Sequence, residues 1–318
     1  MKLREAACSI RLIVAAGIMS VAFVSSAWAQ NYNQIAILKW YRANLTTTYQ
    51  LDGPTDNLNN IVFDGSSIWV YGTGKQYLIK VDALTGEILG RFPLTATGGP
   101  MAFDGTNIWV LLGSSSRVEK LRASDGTSQA VYSLGFFPSS IAFDGSNMWV
   151  TGNDSVVKLR ALDGQILGAY PTGKTAAGVA FDGFYVWVCN RDDYTVVKLT
   201  TDGNIVFTYR NIYGAKNPAF DGTSMWVTGS PDLYKLAPDG STTEYRPYGD
   251  PGASLGNIAF DGQNMWISVS AAVGREVVAA VRVSDGKTVG TFPMAVPKGV
   301  AFDGTSVWVA AYGKLHKL

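Results

Sequence analysis

A ten-residue motif recurs seven times in this 318-residue chain and limits its possible folds more than any other feature. Each copy begins with two apolar residues, followed by Phe-Asp-Gly and two variable residues. It ends with three apolar residues, of which the middle one is Trp and the last is aliphatic. The copies lie 38 to 42 residues apart and hold seven of the nine Trp. An internal period near 40 is typical of repeat proteins in which each copy is one supersecondary unit. The copies are 61–70, 101–110, 141–150, 179–188, 218–227, 258–267 and 300–309.

Each copy predicts a β-hairpin. The Asp-Gly pair turns the chain, because Gly tolerates positive φ and the Asp side chain can accept hydrogen bonds from the turn backbone. The apolar triplet after the turn, such as Ile108-Trp109-Val110, places side chains on both faces of a strand. Both faces of that strand must therefore be buried, as when sheets stack on either side of it.

The remainder of each repeat predicts two more strands. A Lys-Leu pair such as Lys120-Leu121 follows the Trp, then a second turn such as Asp125-Gly126, then a strand such as 165–170 in the next repeat. Four strands in a repeat of this length are the signature of a β-propeller blade. We therefore predict an all-β fold, a seven-bladed β-propeller of four-stranded antiparallel blades, and almost no helix.

The last repeat predicts how the ring closes. Only ten residues follow Trp308, enough for a third strand over 314–318 but not for a fourth. The alternating segment 45–51 is expected to supply the missing outer strand, so that no sheet edge stays open. Residues 30–58 would then be an N-terminal closure segment within one propeller domain, 30–318. The segment 35–41 also resembles a third strand, and its pairing in the closing blade or packing outside it is left open.

The first 29 residues predict a secretory signal peptide. A basic start precedes a thirteen-residue apolar run, 12–24, and Ala27-Trp28-Ala29 fits a cleavage site. We expect cleavage near Ala29–Gln30 and export to the periplasm or the outside of the cell, with no membrane span in the mature chain. The alternative is an uncleaved anchor, but the apolar run is shorter than the roughly 20 residues a spanning helix needs.

Charge, Cys and His counts limit the chemistry. The formal net charge is +1 for the full chain, and removal of the leader leaves 23 basic and 24 acidic residues. This balance gives no electrostatic basis for nucleic-acid binding. Of the two Cys only Cys189 would remain, which excludes an internal disulfide, and its apolar setting favours a buried strand thiol. The single His, His316, excludes sites that need a His pair.

The pattern IAFDGxxxWV…VxKLxAxDGxxLGxY resembles bacterial secreted seven-bladed propellers of the streptogramin (virginiamycin B) lyase-like, NHL and YVTN repeat superfamily, over the whole mature chain. The resemblance to the lyases implies His and Glu side chains that open a cyclic peptide lactone with Mg²⁺. Their second strands tend to read LWFTE, whereas this chain has Thr151-Gly152 and Thr228-Gly229 at the equivalent positions. No catalytic residue is therefore carried over, and His316 is expected on a third strand at the ring closure.

Two cofactor hypotheses also arise from the turns. The segment 81–90 resembles the repeat of pyrroloquinoline-quinone dehydrogenases, but Gly90, Gly168 and Gly290 stand where that repeat is expected to carry a docking Trp. The Asp of each motif suggests calcium, which takes 6–8 oxygen ligands, yet each turn offers one carboxylate and the turns lie around a ring. We predict no metal and no cofactor, with Mg²⁺ or Ca²⁺ only if the chain is a lyase or hydrolase.

A binding site is expected on the face opposite the Phe-Asp-Gly hairpins, where the loops of the repeats differ most. Loops of blades four to six are rich in Arg and Tyr, the residue types that carry much interface energy. We predict a monomer that binds a protein, peptide, glycan or envelope polymer there without catalysis. The alternative is a metal-dependent lyase or hydrolase acting on a lactone or cyclic peptide. The candidate ligand-binding residues are Asn190, Arg191, Asp192, Arg210, Tyr213, Lys216, Arg246, Tyr248 and Arg275.

Overall fold

A computed structural model describes residues 47–51, 53, 57–272 and 274–318, so the predicted signal peptide and the segment 35–41 lie outside the described residues. These residues form 28 β-strands and one 3-10 turn, Gly113–Ser115. The prediction of an all-β fold with almost no helix is confirmed for this part of the chain. Here no helix has the length and apolarity needed to cross a bilayer.

The strands form seven separate antiparallel sheets of four strands each. The first strand in the chain, β1 (Thr48–Gln50), belongs to the seventh blade, and the others follow in groups of four. Blade one contains β2 (Leu58–Phe63), β3 (Ser67–Gly72), β4 (Tyr77–Asp82) and β5 (Ile88–Pro93). Blade two contains β6 (Met101–Phe103), β7 (Asn107–Leu112), β8 (Arg117–Arg122) and β9 (Ser128–Ser133). Blade three contains β10 (Ser140–Phe143), β11 (Asn147–Gly152), β12 (Ser155–Arg160) and β13 (Ile166–Pro171).

The remaining blades repeat this order of inner, second, third and outer strand. Blade four contains β14 (Ala176–Phe181), β15 (Tyr185–Asn190), β16 (Thr195–Thr200) and β17 (Ile205–Arg210). Blade five contains β18 (Pro218–Phe220), β19 (Met225–Thr228), β20 (Leu233–Leu236) and β21 (Thr242–Tyr245). Blade six contains β22 (Ser254–Phe260), β23 (Asn264–Ser270), β24 (Val277–Arg282) and β25 (Thr288–Pro293). Blade seven contains β26 (Val300–Phe302), β27 (Val307–Ala310), β28 (Lys314–Lys317) and β1.

The blades form a closed ring around a channel. Each inner strand contacts the inner strands of both neighbouring blades, and β2 of blade one contacts β26 of blade seven. The ring is closed by β1, which pairs antiparallel with β28 and places Thr48 opposite His316. The predicted outer strand from the N-terminal side is therefore confirmed, and the third strand of blade seven is the predicted C-terminal one.

Each hairpin is fixed by the Asp of its motif. In blade two, one Asp104 oxygen accepts hydrogen bonds from the backbone amides of Thr106 at 2.9 Å and Asn107 at 2.6 Å, and the other accepts from Trp109 Nε1 at 2.7 Å. All seven motifs contain this Asp–Trp bond, at 2.6–2.8 Å. The conserved spacing of Asp and Trp along the repeats thus has a structural cause, the joining of the turn to the core.

The hydrophobic core lies between blades. The Trp109 ring stacks at 5.7 Å on Tyr132 of its own outer strand, and Lys120 Nζ lies 5.1 Å from the Trp109 ring centroid. The Lys120 ammonium then donates a hydrogen bond to the Ala161 carbonyl of blade three at 2.7 Å. A Lys covers the Trp in six blades, so most neighbouring blades are joined by a charged side chain packed over an aromatic ring.

Candidate functional site

The two faces of the ring differ in the loops they carry. The Phe-Asp-Gly hairpins and the turns between third and outer strands lie on one face, the hairpin face. The loops between second and third strands and the connections between blades lie on the other, the loop face. At the loop face, the residue just before each motif stands at the channel. This residue varies among the blades, as Asn60, Pro100, Ser140, Gly178, Asn217, Asn257 and Gly299.

A cavity of about 530 Å³ opens at the channel mouth on the loop face, lined by blades one, two, five, six and seven. We call it the channel-mouth pocket. Its volume is within the range that holds a small molecule or one unit of a polymer. Among the described residues, two Lys and no Asp or Glu line it. Its remaining polar side chains are amides and hydroxyls: Asn59, Asn60, Tyr71, Thr73, Asn217, Ser254, Asn257, Ser268 and Ser270.

Two of these amides are held in place by the neighbouring blade. Asn217 Nδ2 donates to the Gly256 carbonyl at 2.9 Å, and Asn257 Nδ2 donates to the Lys298 carbonyl at 3.1 Å. By contrast, the side chains of Asn60, Ser254 and Ser270 make no hydrogen bond to other described residues. The pocket therefore presents both positioned amides and hydrogen-bonding groups that are free to take a ligand.

The charge of the channel-mouth pocket comes from Lys216 and Lys298. Neither forms an ion pair with another described residue. Desolvation lowers the pKa of Lys216, and the positive charges of Lys298 and Arg191 lower it further. Cations that lower one another's pKa create a positive potential, and an anion placed between them would relieve it.

The predicted residues of blade four are mostly used within the protein. Asn190 is fully buried, and its amide donates to the Thr172 carbonyl and to Thr195 Oγ1, both at 3.1 Å. Arg191 Nε donates to Asp192 at 3.1 Å, so the two exposed charges partly neutralise each other. Asn190 is therefore occupied in holding two loops together and is not available to a ligand.

The predicted residues of blades four to six are spread over the outer loops. Arg246 pairs with Asp232 at 2.7 Å, and Arg275 lies 3.9 Å from Asp250. Tyr248 donates its hydroxyl to the Arg275 carbonyl at 3.0 Å. The two remaining candidates are exposed: Arg210 ends β17, and the Tyr213 ring packs at a tilt against Tyr194, with 5.1 Å between the ring centroids.

Of the nine predicted residues, the structure brings only Lys216 to the channel-mouth pocket. Sequence reasoning missed Lys298 and the Asn side chains of the pocket. A signal for Asn60, Asn217 and Asn257 was present in the varying residue that precedes each motif, because a position that differs among otherwise equal repeats is free of a common structural role. That signal needs the fold to be useful, since only the ring shows that these positions meet.

The His and Cys are placed away from this pocket. His316 lies on β28, where its Nδ1 is 3.0 Å from Thr48 Oγ1, and burial, then the Lys314 charge, lower its pKa. Burial raises the pKa of the Cys189 thiol, which lies on β15. Among the described residues, no three His, Cys, Asp or Glu side chains are grouped closely enough to hold a metal ion.

Comparisons with known proteins agree on the fold. No protein-family model matches the sequence, and no curated protein is significantly similar to it. A streptogramin B lyase structure matches with a TM-score of 0.72 at 20% identity, over 85% of this chain and 95% of that one. Hydrazine synthase from Kuenenia stuttgartiensis matches with a TM-score of 0.69 at 16% identity, over 85% and 97%. The U3-55K structure matches with 0.72 at 11% identity, over 86% and 98%.

At such identities these likenesses establish the seven-bladed propeller and nothing about activity, because propellers carry many unrelated functions. The resemblance to the streptogramin lyase-like group thus has a structural neighbour in support of its fold.

Proposed function

We propose that this protein is an exported, non-enzymatic binding propeller that takes a protein, peptide or envelope-polymer ligand into the channel-mouth pocket. The proposal is supported above all by three polar side chains, Asn60, Ser254 and Ser270, which have no hydrogen-bond partner among the described residues and line an open cavity of about 530 Å³. A rigid ring that presents such groups at one mouth needs little reordering to bind, and this preorganisation favours affinity.

The channel-mouth pocket supports this proposal better than the outer Arg–Tyr loops do. Arg191, Arg246 and Arg275 lie 2.7–3.9 Å from Asp side chains of the same face. A ligand at those loops would have to compete with these ion pairs, whereas Lys216 and Lys298 offer charges without such competitors. The outer loops then form the rim around the bound part of a longer ligand.

The test is a ligand screen with a variant that blocks the pocket. Short oligosaccharides and peptides are screened by ligand-observed NMR, and Asn60→Trp is expected to abolish binding because the indole fills the cavity. The control is Asn204→Trp, an exposed turn residue of the hairpin face, which is expected to bind normally. Binding that survives Asn60→Trp would place the ligand elsewhere and refute the proposal.

The predictions of export and of no catalysis are tested by two separate measurements. Fractionation of cells that express the full chain, with N-terminal sequencing, should find the protein outside the cytoplasm and starting at Gln30. Incubation with cyclic peptide lactones and Mg²⁺ should leave them unchanged. Turnover that Asn60→Trp abolishes would establish the lyase alternative in place of the binding function.

A further inference from the structure

We propose that the channel-mouth pocket recognises an acidic sugar. Lys216 and Lys298 would donate hydrogen bonds to its carboxylate, and the Asn and Ser side chains would bind its hydroxyls. This inference rests on the proposed function and names its ligand class. The first support is the charge of the lining, which in the described part of the chain includes two Lys and no Asp or Glu. An oxygen-rich pocket with a net positive charge selects an anionic ligand over a neutral or cationic one.

The backbones that carry the two Lys are held by close approaches between blades. A Cβ atom at Gly178 of blade four would collide with the Lys216 carbonyl oxygen of blade five. A Cβ atom at Gly299, next to Lys298, would lie 2.8 Å from the Asn59 carbonyl oxygen of blade one. Because only Gly permits both approaches, the two Lys start from fixed points on opposite sides of blade six.

The two ammonium groups are close enough to repel each other. The Lys298 charge lowers the pKa of Lys216 in addition to desolvation, and Arg191 acts in the same direction. This arrangement is unfavourable in the free protein, because like charges face one cavity without a described carboxylate between them. A bound carboxylate would make two charge-assisted hydrogen bonds and remove the repulsion.

The rest of the lining favours a sugar over a small inorganic anion. Beyond the two Lys, the polar groups are neutral amides and hydroxyls, which donate and accept hydrogen bonds as sugar hydroxyls do. Asn217 and Asn257 have one amide hydrogen committed to the next blade, which leaves their carbonyl oxygens oriented as acceptors. A cavity of about 530 Å³ also exceeds what phosphate would fill.

Isothermal titration with three probes tests the inference: a galacturonate trimer, the neutral galactose trimer of the same linkage, and inorganic phosphate. The acidic trimer should bind at least about tenfold more tightly than the neutral one, as expected for hydrogen bonds to a charged group. Lys216→Met and Lys298→Met should each weaken it by about tenfold or more and remove its preference over the neutral trimer. The control Lys287→Met, an exposed Lys on the hairpin face, should change nothing.

Stability measurements guard against loss of folding as the cause. Lys216→Met should unfold at the same or a higher urea concentration than the parent protein, because it removes repulsion and leaves the hydrophobic stem in place. Weaker binding together with lower stability would point to a structural role and overturn the assignment of Lys216.

The remaining outcomes separate the two proposals. If both trimers bind equally, the Lys variants have no effect and Asn60→Trp still abolishes binding, the acidic-sugar inference is wrong and the binding function stands. If phosphate binds as tightly as the acidic trimer, the pocket is an anion site and the sugar assignment is wrong. If no probe and no member of the ligand screen binds, both proposals fail.

Discussion

The junction between blades six and seven differs from the other six junctions of the ring. Four buried apolar residues form the cluster between these two blades, whereas eight to ten form each of the other clusters among the described residues. Trp266 of blade six is only half-buried, whereas the other six motif Trp are buried. Its outer-strand partner Phe292 is 37% exposed.

The cause is the way the ring closes. In five of the other six blades, the Lys above the Trp donates to a carbonyl in the next blade's turn between third and outer strands, as Lys317 of blade seven does to Ala83 of blade one at 2.7 Å. Blade seven takes its outer strand β1 from the N-terminal side, so no such turn joins its third and outer strands. The Lys of blade six would have no turn to reach, and Ala280 stands opposite Trp266 instead.

Taking the outer strand of blade seven from the N-terminal side therefore removes several contacts between blades six and seven at once. The strand β1 seals the edge of blade seven, and Tyr49 stacks on Trp308 at 5.8 Å as the outer aromatics do in other blades. Blade six, however, lacks the contacts that a turn between the third and outer strands of blade seven would make with it. The junction is instead held near the channel, where Asn257 bonds the Lys298 carbonyl at 3.1 Å.

Removing the motif Trp should expose the difference most strongly. Trp149→Ala should cost about 3–5 kcal/mol of unfolding free energy, because it empties a fully buried site. Trp266→Ala is the matched variant, since both Trp bond their motif Asp and pack against an outer aromatic ring at a similar tilt. We expect it to cost about half as much, measured by urea unfolding. Equal costs would show that the sixth junction is packed as tightly as the others.

The Lys position should give a smaller effect. Lys120→Met should cost about 1–3 kcal/mol, because it removes a cation over the Trp109 ring and a charged hydrogen bond to the next blade. Ala280→Lys, which restores the residue but not the turn carbonyl, should give no stabilisation in the same urea assay. A gain as large as the Lys120 loss would mean that the ring contact suffices without the carbonyl.

The smallest effect is expected from pH at the ring closure. Burial, and then the Lys314 charge, lower the pKa of His316, so the unfolded chain takes up a proton more readily than the folded one. The free energy of unfolding should therefore decrease as the pH falls below 6.5, the ordinary pKa of His, because protonation then favours the unfolded chain. Between pH 8 and 5.5, the midpoint temperature of thermal unfolding should fall less in His316→Gln than in the parent protein. An identical decline in both proteins would remove His316 as the cause.

Much of the fold follows from particular sequence features. The seven Asp-Gly turns and the Trp spacing predict hairpins, and the hairpins with their Lys-Leu strands predict seven blades. The alternating residues around Thr48 predict the closing strand, which pairs with β28 as expected. These features are readable because each depends on local chemistry that repeats along the chain.

The candidate site is less readable. The residue types of the outer loops, Arg and Tyr, predict a binding surface. The pairing of Arg246 with Asp232 and of Arg275 with Asp250, however, depends on contacts between loops that the sequence does not reveal. Conversely, Asn60 and Lys298 look ordinary in sequence and lie on blades one and seven, yet they line one cavity. Such proximity arises only when the ring brings distant blades together.

The sequence by itself determined the strand count, the turns and the core Trp of each blade, because hairpin chemistry and alternation act over a few residues. Only the tertiary structure decided two other things. It showed which charges remain unpaired at the channel, and it showed that the sixth junction lacks the contacts the others share. Both depend on how residues far apart in the chain are placed by ring closure, which no local pattern records.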